Sequence, residues 1–203
     1  MIEIIDVEQG TPEWFEARSG IATASCFNQI MTPAKLGKST SQKKYAISIV
    51  AGEVGFEGNE WTERGHELEA DARFAYQFVN GVKVDQVGFV RGELAGCSPD
   101  GLVGDDGGVE FKCLKSENHL LYAFDWDGET IPTLFLNQVY GSLFVTGRKW
   151  WDLNLYHPRF ETLEVRGSID DERYPEWHKA FTKHLTAFNK TLEKAKQIAG
   201  VAP

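Results

Sequence analysis

The chain has 203 residues, of which 42% are hydrophobic and 12% aromatic, which predicts a single globular domain over residues 1–203 and excludes a disordered chain. It has no apolar run near the roughly 20 residues of a membrane span and no signal-peptide pattern at its start, so we expect a cytoplasmic protein. The net charge of −9 argues against a nucleic-acid partner, unless bound metal cancels part of the field and basic residues converge on one face.

Two helices are predicted near the start of the chain. Thr11-Pro12-Glu13 combines a cap, a first-turn proline and an acid, and Gly20 ends this helix. Thr23 or its neighbour caps the second helix. Arg18 and Ser25 therefore lie near a helix end and a helix start, where a guanidinium, a hydroxyl and backbone N–H groups suit an anion. The alternative is a solvated charge and an ordinary cap.

Residues 32–42 are predicted to be a polar loop and residues 43–54 a helix. A turn at 55–58 and a long helix over 59–79 follow. Glu69 lies beside the apolar stripe of the long helix, and an i,i+4 pair with Arg73 would explain it without any function. The basic residues that would have to converge to bind a polyanion are Arg18, Lys35, Lys38, Lys43, Lys44, Lys112 and Lys115.

An antiparallel meander follows, with strands predicted over residues 82–90, 94–98 and 109–114. Side chains alternate along a strand, so Glu110 and Lys112 share one face while Val109, Phe111 and Cys113 take the other. The turn between the last two strands is rich in Gly and Asp, and if it folds back it brings Asp100 across to Glu110.

This group of side chains suits metal-assisted hydrolysis of a phosphodiester. Mg²⁺ takes oxygen ligands from one or two carboxylates and fills its other positions with water and phosphate oxygens. Asp100 and Glu110 would supply the carboxylates, and the backbone carbonyl of Phe111 would be a further oxygen ligand. Lys112 would orient the attacking water or stabilise charge on the phosphate. The alternative is a surface Glu–Lys pair beside an acidic turn.

Residues 115–130 are predicted to be irregular, and a helix opens at 131–133 with a core face that runs to Phe144. Two strands follow over 149–157 and 160–165, and then a long helix over 170–199 that is broken near Pro175. Gln138 falls off the apolar stripe of its helix and is either functional or solvated. The three cysteines match no zinc signature and are expected to be reduced thiols. A disulfide between Cys97 and Cys113 is geometrically conceivable, but the expected compartment argues against it.

Four ordered segments resemble one nuclease family: 18–25 (RSGIATAS), 64–73 (RGHELEADAR), 98–112 (SPDG followed by EFK) and 137–140 (NQVY). They are similar to the phage lambda exonuclease and YqaJ viral recombinase branch of the PD-(D/E)XK nucleases, and the likeness runs from about residue 10 to about residue 157. The resemblance implies an α/β (α+β) fold with a restriction-endonuclease-like core, in which a central mixed β-sheet is flanked by helices.

The resemblance also implies roles for individual residues. Glu69 would complete the metal site of Asp100, Glu110 and the Phe111 carbonyl, and Gln138 would position the water or Lys112. Arg18, Ser25 and Ser98 would bind the 5′-terminal phosphate. The family often has an arginine shortly after the lysine strand, where this chain has Asn118 and His119, so that part of the pocket is in question.

The implied activity is Mg²⁺-dependent 5′→3′ degradation of linear double-stranded DNA, with two metal ions per site and Mn²⁺ as a substitute. A 3′ single-stranded overhang would remain for a single-strand annealing recombinase, and family members form ring-shaped homotrimers. Two alternatives stay open: an endonuclease on the same core, and a catalytically silent subunit that binds DNA ends.

Overall fold

The computed structural model describes residues 2–53 and 60–201, with side chains in the third helix described from Leu68 onward. The turn predicted at 55–58 lies outside the described residues. The helices are α1 (Pro12–Arg18), α2 (Gln42–Ala51), α3 (Glu60–Asn80), α4 (Ser116–Phe124), α5 (Thr133–Thr146) and α6 (Tyr174–Ala199), with a 3₁₀ helix at Ala24–Gln29. The strands are β1 (Glu3–Ile5), β2 (Met31–Thr32), β3 (Gly37–Lys38), β4 (Val84–Asp85), β5 (Phe89–Arg91), β6 (Gly96–Cys97), β7 (Gly101–Val103), β8 (Gly107–Cys113), β9 (Trp150–Tyr156) and β10 (Leu163–Ser168).

The central sheet has five strands in the order β10-β9-β8-β7-β4. Strand β8 is parallel to β9, and the other neighbouring pairs are antiparallel. A three-stranded sheet, β1-β5-β6, and a short β2–β3 hairpin complete the strands of the described residues. The predicted α/β (α+β) class, with a central mixed sheet flanked by helices, is confirmed.

Helices cover both faces of the central sheet. Because side chains alternate along β8, Val109 and Phe111 point to one face, where they pack with Ala72 and Tyr76 of α3. The other face carries the β9 side chains of Trp151, Leu153 and Leu155, which pack in the main core with α5 and α6. Glu110 and Lys112 of β8 therefore point toward the α5 side.

A buried carboxylate fixes α3 on its face of the sheet. Asp152 of β9 is 1% exposed and accepts a hydrogen bond of 2.7 Å from the Tyr76 hydroxyl of α3. Arg166 of β10 donates to both oxygens of Asp152, at 2.7 and 2.8 Å, and its guanidinium lies 3.8 Å from the ring centroid of Trp150. A buried charge needs partners of this kind, so the network sets the position of α3 along the strands.

The single strand predicted over residues 82–90 is wrong. The chain forms two strands there: β4 joins the central sheet through β7, and β5 joins the small sheet between β1 and β6. Between them, Gly88 packs directly against the backbone of Val7, where an added Cβ would lie 2.1 Å from the Val7 carbonyl oxygen. Alternation predicts extended backbone but does not identify its partner, so the predicted meander is divided between two sheets.

Two segments predicted to be irregular contain regular structure. Residues 32–42 include part of the β2–β3 hairpin, and residues 115–130 include α4. Helix α4 leaves Leu121 and Phe124 exposed, so its apolar residues do not make the buried stripe by which a helix is recognised. The predicted second helix is a 3₁₀ helix.

Two further expectations concern cysteines and membranes. Cys26, Cys97 and Cys113 are all free thiols, as expected. Within the described residues, no helix is both long enough and apolar enough to span a bilayer.

We predict that Gly108→Ala destabilises the protein by about 2 kcal/mol, because overpacking a well-packed core costs roughly 1–3 kcal/mol. An added Cβ would lie 2.3 Å from the ring of Trp151, which is fully buried. Gly37→Ala is the matched control, since its Cβ would meet Thr32 Oγ1 at an ordinary 3.6 Å. Urea unfolding of both variants checks this, and equal midpoints would contradict it.

Candidate active site

The pairing of β7 with β8 brings two acidic residues side by side. Gly101 is opposite Val109 in this antiparallel pair, so Asp100, one residue before β7, is opposite Glu110. Asp100 Oδ2 accepts a hydrogen bond of 2.7 Å from the Phe111 N–H. The side chain of Asp100 thus takes the place of a backbone acceptor and adds one hydrogen bond to the β7–β8 ladder just before β7 begins. The expected convergence of Asp100 with Glu110 is present.

Glu110 is the centre of the polar contacts at this site. It is 4% exposed, and its Oε1 accepts hydrogen bonds from Lys112 Nζ at 2.6 Å and from Gln138 Nε2 at 2.5 Å. Gln138 comes from α5, which covers this face of the sheet. Both donors fix the orientation of the carboxylate, so the structure brings together Asp100, Glu110, Lys112 and Gln138.

Negative charge is crowded at this point. Burial raises the pKa of Asp100 well above its usual value, and the charges of Glu110 and Glu69 raise it further, against the opposing effect of Lys112. Burial opposes protonation of Lys112, but the charges of Glu110 and Asp100 outweigh it and raise the pKa of that ammonium. Lys112 is therefore a firmly held cation, and beside it burial and the charge of Glu110 disfavour the ionised form of Asp100.

The donor set fits a hard divalent cation. Among the described residues, no group of three or more His, Cys, Asp and Glu side chains forms a metal cage by itself. Mg²⁺ does not require one, because it is bound through one or two carboxylates together with waters and substrate oxygens. Asp100 and Glu110 supply two carboxylates whose mutual repulsion a cation would relieve.

The Phe111 carbonyl lies on the edge of β8 that Asp100 occupies. The N–H and C=O of one strand residue point to the same side, and the Phe111 N–H points to Asp100. Beyond Val109 this edge is not paired with β7. A backbone oxygen is therefore available beside the two carboxylates, as the predicted ligand role requires.

Glu69 lies on α3, which covers the opposite face of the sheet. It forms an i,i+4 ion pair of 2.5 Å with Arg73, the contact that spacing alone predicts. Its charge nevertheless acts on Asp100 and on Lys112, so it lies near the open edge of β8. A metal role for Glu69 stays a prediction.

A second polar group lies two residues before Asp100. Arg18 Nη1 donates to Ser98 Oγ at 2.7 Å, and Trp14 Nε1 donates to the same oxygen at 2.9 Å. The Arg18 guanidinium also lies 4.1 Å from the ring centroid of Trp14. Burial lowers the pKa of Arg18, and no Asp or Glu among the described residues forms an ion pair with it. A half-buried guanidinium without a carboxylate partner is suited to an anion.

The other predicted phosphate residues are less directly involved. Ser25 is exposed, and its hydroxyl lies 3.3 Å from that of Thr23 rather than against Arg18 or Ser98. His119 is fully buried and stacks on Phe160 with ring centroids 5.8 Å apart. Asn118 is exposed. Neither Asn118 nor His119 supplies the cation that an arginine would bring.

Trp14 is the residue that sequence reasoning missed. Its position in the first turn of α1 predicts only a core aromatic, and it is indeed buried. The contacts that give it a part in the site come from Ser98 and Gly88, whose oxygens accept from its indole N–H at 2.9 and 3.0 Å. The four-residue spacing from Trp14 to Arg18 on one helix was the available signal, since it puts both side chains on the same face.

Comparisons with known proteins agree with this geometry. Residues 13–149 match the YqaJ-like viral recombinase domain family. The alkaline exonuclease LHK-Exo from Laribacter hongkongensis is 30% identical to the chain, with a TM-score of 0.73 over 94% of this chain and 98% of that one. The structure of LHK-Exo in complex with dAMP has the same identity and coverage and a TM-score of 0.75.

A phage-related exonuclease from Haemophilus somnus 129PT shares the fold, at 12% identity and a TM-score of 0.61 over 89% of this chain and 96% of that one. No curated protein matches the chain. The family match covers the segment that carries Arg18, Asp100, Glu110, Lys112 and Gln138. The chain therefore belongs to the YqaJ-like viral recombinase domain family and is an exonuclease with the fold of the alkaline exonucleases.

Proposed function

We propose that the protein is a Mg²⁺-dependent exodeoxyribonuclease that degrades the 5′-ended strand of linear double-stranded DNA in the 5′→3′ direction. The observation that carries this proposal is the pair of adjacent carboxylates, Asp100 and Glu110, with the Lys112 ammonium 2.6 Å from Glu110. A half-buried arginine without a carboxylate partner, Arg18, donates to Ser98 two residues before Asp100. LHK-Exo has been crystallised with dAMP, and a deoxyribonucleoside monophosphate is what an exodeoxyribonuclease releases.

Asp100, Glu110 and the Phe111 carbonyl would hold the cation, with Glu69 as a further ligand. We propose two Mg²⁺ ions per site, replaceable by Mn²⁺. When bound, the cation supplies Lewis acidity, which makes water more acidic and offsets charge on the phosphate. Lys112 holds its proton firmly and stabilises negative charge on the phosphate or orients the attacking water. Gln138 keeps Glu110 in one orientation.

The second polar group would bind the terminal 5′-phosphate. Ser98 Oγ accepts hydrogen bonds from Trp14 and from Arg18, which uses both of its lone pairs, so its O–H is left to donate. A donor hydroxyl beside a guanidinium is complementary to a phosphate. Trp14 thus positions both groups, through the hydrogen bond to Ser98 and the stacking under Arg18. Ser25 would contribute from the start of the 3₁₀ helix.

The remaining product would be a 3′ single-stranded overhang for a single-strand annealing recombinase, and we propose a homotrimer as the assembly. Digestion of linear and circular duplexes, with and without Mg²⁺ and a 5′-phosphate, tests the activity. We expect cutting of linear DNA only, dependent on Mg²⁺ and faster with the phosphate. Cutting of circles would indicate an endonuclease, and no cutting under any condition would indicate a silent end-binding subunit.

We predict that Lys112→Ala lowers turnover by at least 10²-fold, which is about the effect of removing one preorganised charge-stabilising group. DNA binding should persist, since the substitution removes one of many phosphate contacts. Because the change leaves Glu110 buried without its ion pair, Lys112→Gln serves as a second variant that keeps a hydrogen-bond donor. Lys83→Ala, at an exposed pair with Asp85, is the control. Normal turnover in folded Lys112→Gln would remove the ammonium from the mechanism.

We predict that Trp14→Phe lowers the preference for 5′-phosphorylated over 5′-hydroxyl ends about fivefold, because one hydrogen bond is worth about 1 kcal/mol. Phenylalanine still offers Arg18 a ring but cannot hold the Ser98 hydroxyl as a donor. The ratio of kcat/KM for the two kinds of end measures this. In a Ser98→Ala background the same substitution should have little further effect, whereas a purely structural role would slow both substrates equally in either background.

We predict that metal-free Asp100→Asn is at least as stable as the wild type at pH 8, because it removes a carboxylate that burial and Glu110 disfavour. The pKa of folded Asp100 is raised, so wild-type stability falls as the pH rises from about 4, where the unfolded carboxylate ionises, through the folded pKa. The variant lacks this slope. Thermal midpoints measured in a chelator across pH check this.

Addition of Mg²⁺ should raise the midpoint of the wild type and of Asp105→Asn, an exposed acid in the β7–β8 turn. It should not raise the midpoint of Asp100→Asn. An equal metal-induced increase in all three proteins would contradict a metal role for Asp100.

A further inference from the structure

Charge is segregated along this acidic chain. The protein carries 30 Asp and Glu against 21 Lys and Arg. Residues 17–52 nevertheless contain five Lys and Arg and no acidic residue, and residues 177–192 contain three lysines and no acidic residue. The excess negative charge therefore resides entirely in the rest of the chain.

The two acid-free stretches pack against each other. The first forms the 3₁₀ helix, the β2–β3 hairpin and α2, and the second forms most of α6. The ring of Tyr45 in α2 stacks on Phe188 of α6 with centroids 5.4 Å apart. His184 Nε2 lies 3.1 Å from the Leu36 carbonyl oxygen at the hairpin, and Gln42 Nε2 donates to the His184 carbonyl at 3.4 Å. They therefore form one continuous part of the molecule.

The lysines of this part face solvent. We call the following exposed set the acid-free surface: Lys35, Lys38, Lys43, Lys44, Lys179, Lys183 and Lys190. None of these seven has an ion pair with any residue in 2–53 or 60–201. Three lysines elsewhere do have acidic partners: Lys83 pairs with Asp85, Lys149 with Asp106 and Lys196 with Glu193. The acid-free surface is thus a concentration of uncompensated positive charge.

The lysines of α6 are aligned. Lys179, Lys183 and Lys190 are spaced at i, i+4 and i+11, which puts them within about 40° of one another around the helix and spreads them over about 16 Å of its length. The opposite side of the helix is buried through Phe181, Leu185 and others. The spacing gives a straight row of cations rather than a scattered set.

The acid-free surface continues into the active site. Arg18, which belongs to the first acid-free stretch, donates to Ser98 two residues from Asp100. On the other side, the Asn137 side chain of α5 donates to Asn28 Oδ1 of the 3₁₀ helix at 2.7 Å, and the next residue is Gln138. The first acid-free stretch therefore reaches the neighbourhood of the two carboxylates at both Arg18 and Asn28.

We propose that the acid-free surface binds the phosphodiester backbone of the DNA duplex ahead of the cleavage site. This inference rests on the proposed function and deepens it, since it names the face on which an acidic protein holds a polyanion. A row of lysines recognises the regular spacing of phosphates rather than base edges, so binding is independent of sequence. Repulsion from the acidic remainder keeps the duplex on the acid-free part of the molecule.

The test compares two double variants with the same change in net charge. Lys183→Gln/Lys190→Gln removes two lysines from the acid-free surface, and Lys83→Gln/Lys149→Gln removes two from outside it. Binding to a 5′-phosphorylated 30-base-pair duplex is measured in a chelator, where no cutting occurs, over a range of salt concentrations. Each lost phosphate contact lowers the slope of log K against log salt by about 0.9.

We expect Lys183→Gln/Lys190→Gln to lower that slope by about 2 and to weaken duplex binding at least tenfold at about 0.1 M salt. Lys83→Gln/Lys149→Gln should leave the slope unchanged. A third variant, Lys43→Gln/Lys44→Gln, should behave like the first, and thermal midpoints confirm that all are folded. Equal effects inside and outside the surface would overturn the proposal, as would an effect confined to single-stranded DNA of the same length.

Wild-type digestion of linear duplex at low salt separates this outcome from failure of the proposed function. If the wild type cuts DNA and the first and third variants bind duplex like the wild type, the proposed DNA-binding role of the acid-free surface is wrong. The proposed nuclease function is then retained. If the wild type neither cuts nor binds, both are wrong.

Discussion

The hydrogen bond from the Phe111 N–H to Asp100 determines the geometry of the site. It extends the β7–β8 ladder by one step with a side chain in place of backbone, and so it holds Asp100 opposite Glu110. The same bond leaves the Phe111 carbonyl on an unpaired edge. Two carboxylates and a backbone oxygen meet there because one strand begins a residue too late to pair through its own backbone. This leaves room for the cation and the substrate that we propose.

The surrounding fold keeps this group rigid from both faces of the sheet. On one face, α5 supplies Gln138, which shares Glu110 with Lys112. On the other, the contacts of Asp152 with Tyr76 and Arg166 hold α3, and α3 carries Glu69. Repulsion between the carboxylates destabilises the metal-free fold. The contacts of α5 and α3 with the sheet offset this loss of stability. The proposed cation would stabilise the folded protein by relieving this repulsion.

The net charge of −9 is no obstacle to a DNA substrate once its distribution in space is known. The seven lysines of the acid-free surface lie in two stretches that contain no acidic residue, and the carboxylates lie in the rest of the chain. Long-range fields follow the arrangement of charges rather than their sum. An acidic enzyme can therefore bind a polyanion on one face and repel it from the others.

The sequence by itself determined what depends on local periodicity and on turn chemistry. Local patterns predicted the alternation of Glu110 and Lys112 against Val109 and Phe111 and the return of Asp100 across the hairpin. They also predicted the span of α1 and the start of α5, because each depends on neighbours within a few residues. Ordered motifs added the family. Only the tertiary structure decided which strands the segment 82–90 pairs with and that Gln138 contacts Glu110. It also decided that Trp14 supports Arg18 and Ser98, and that the stretches 17–52 and 177–192 pack together. The contacts of Gln138 with Glu110, of Trp14 with Ser98 and of His184 with Leu36 join residues 28, 84 and 148 positions apart. Packing of the whole chain selects them where no local pattern can.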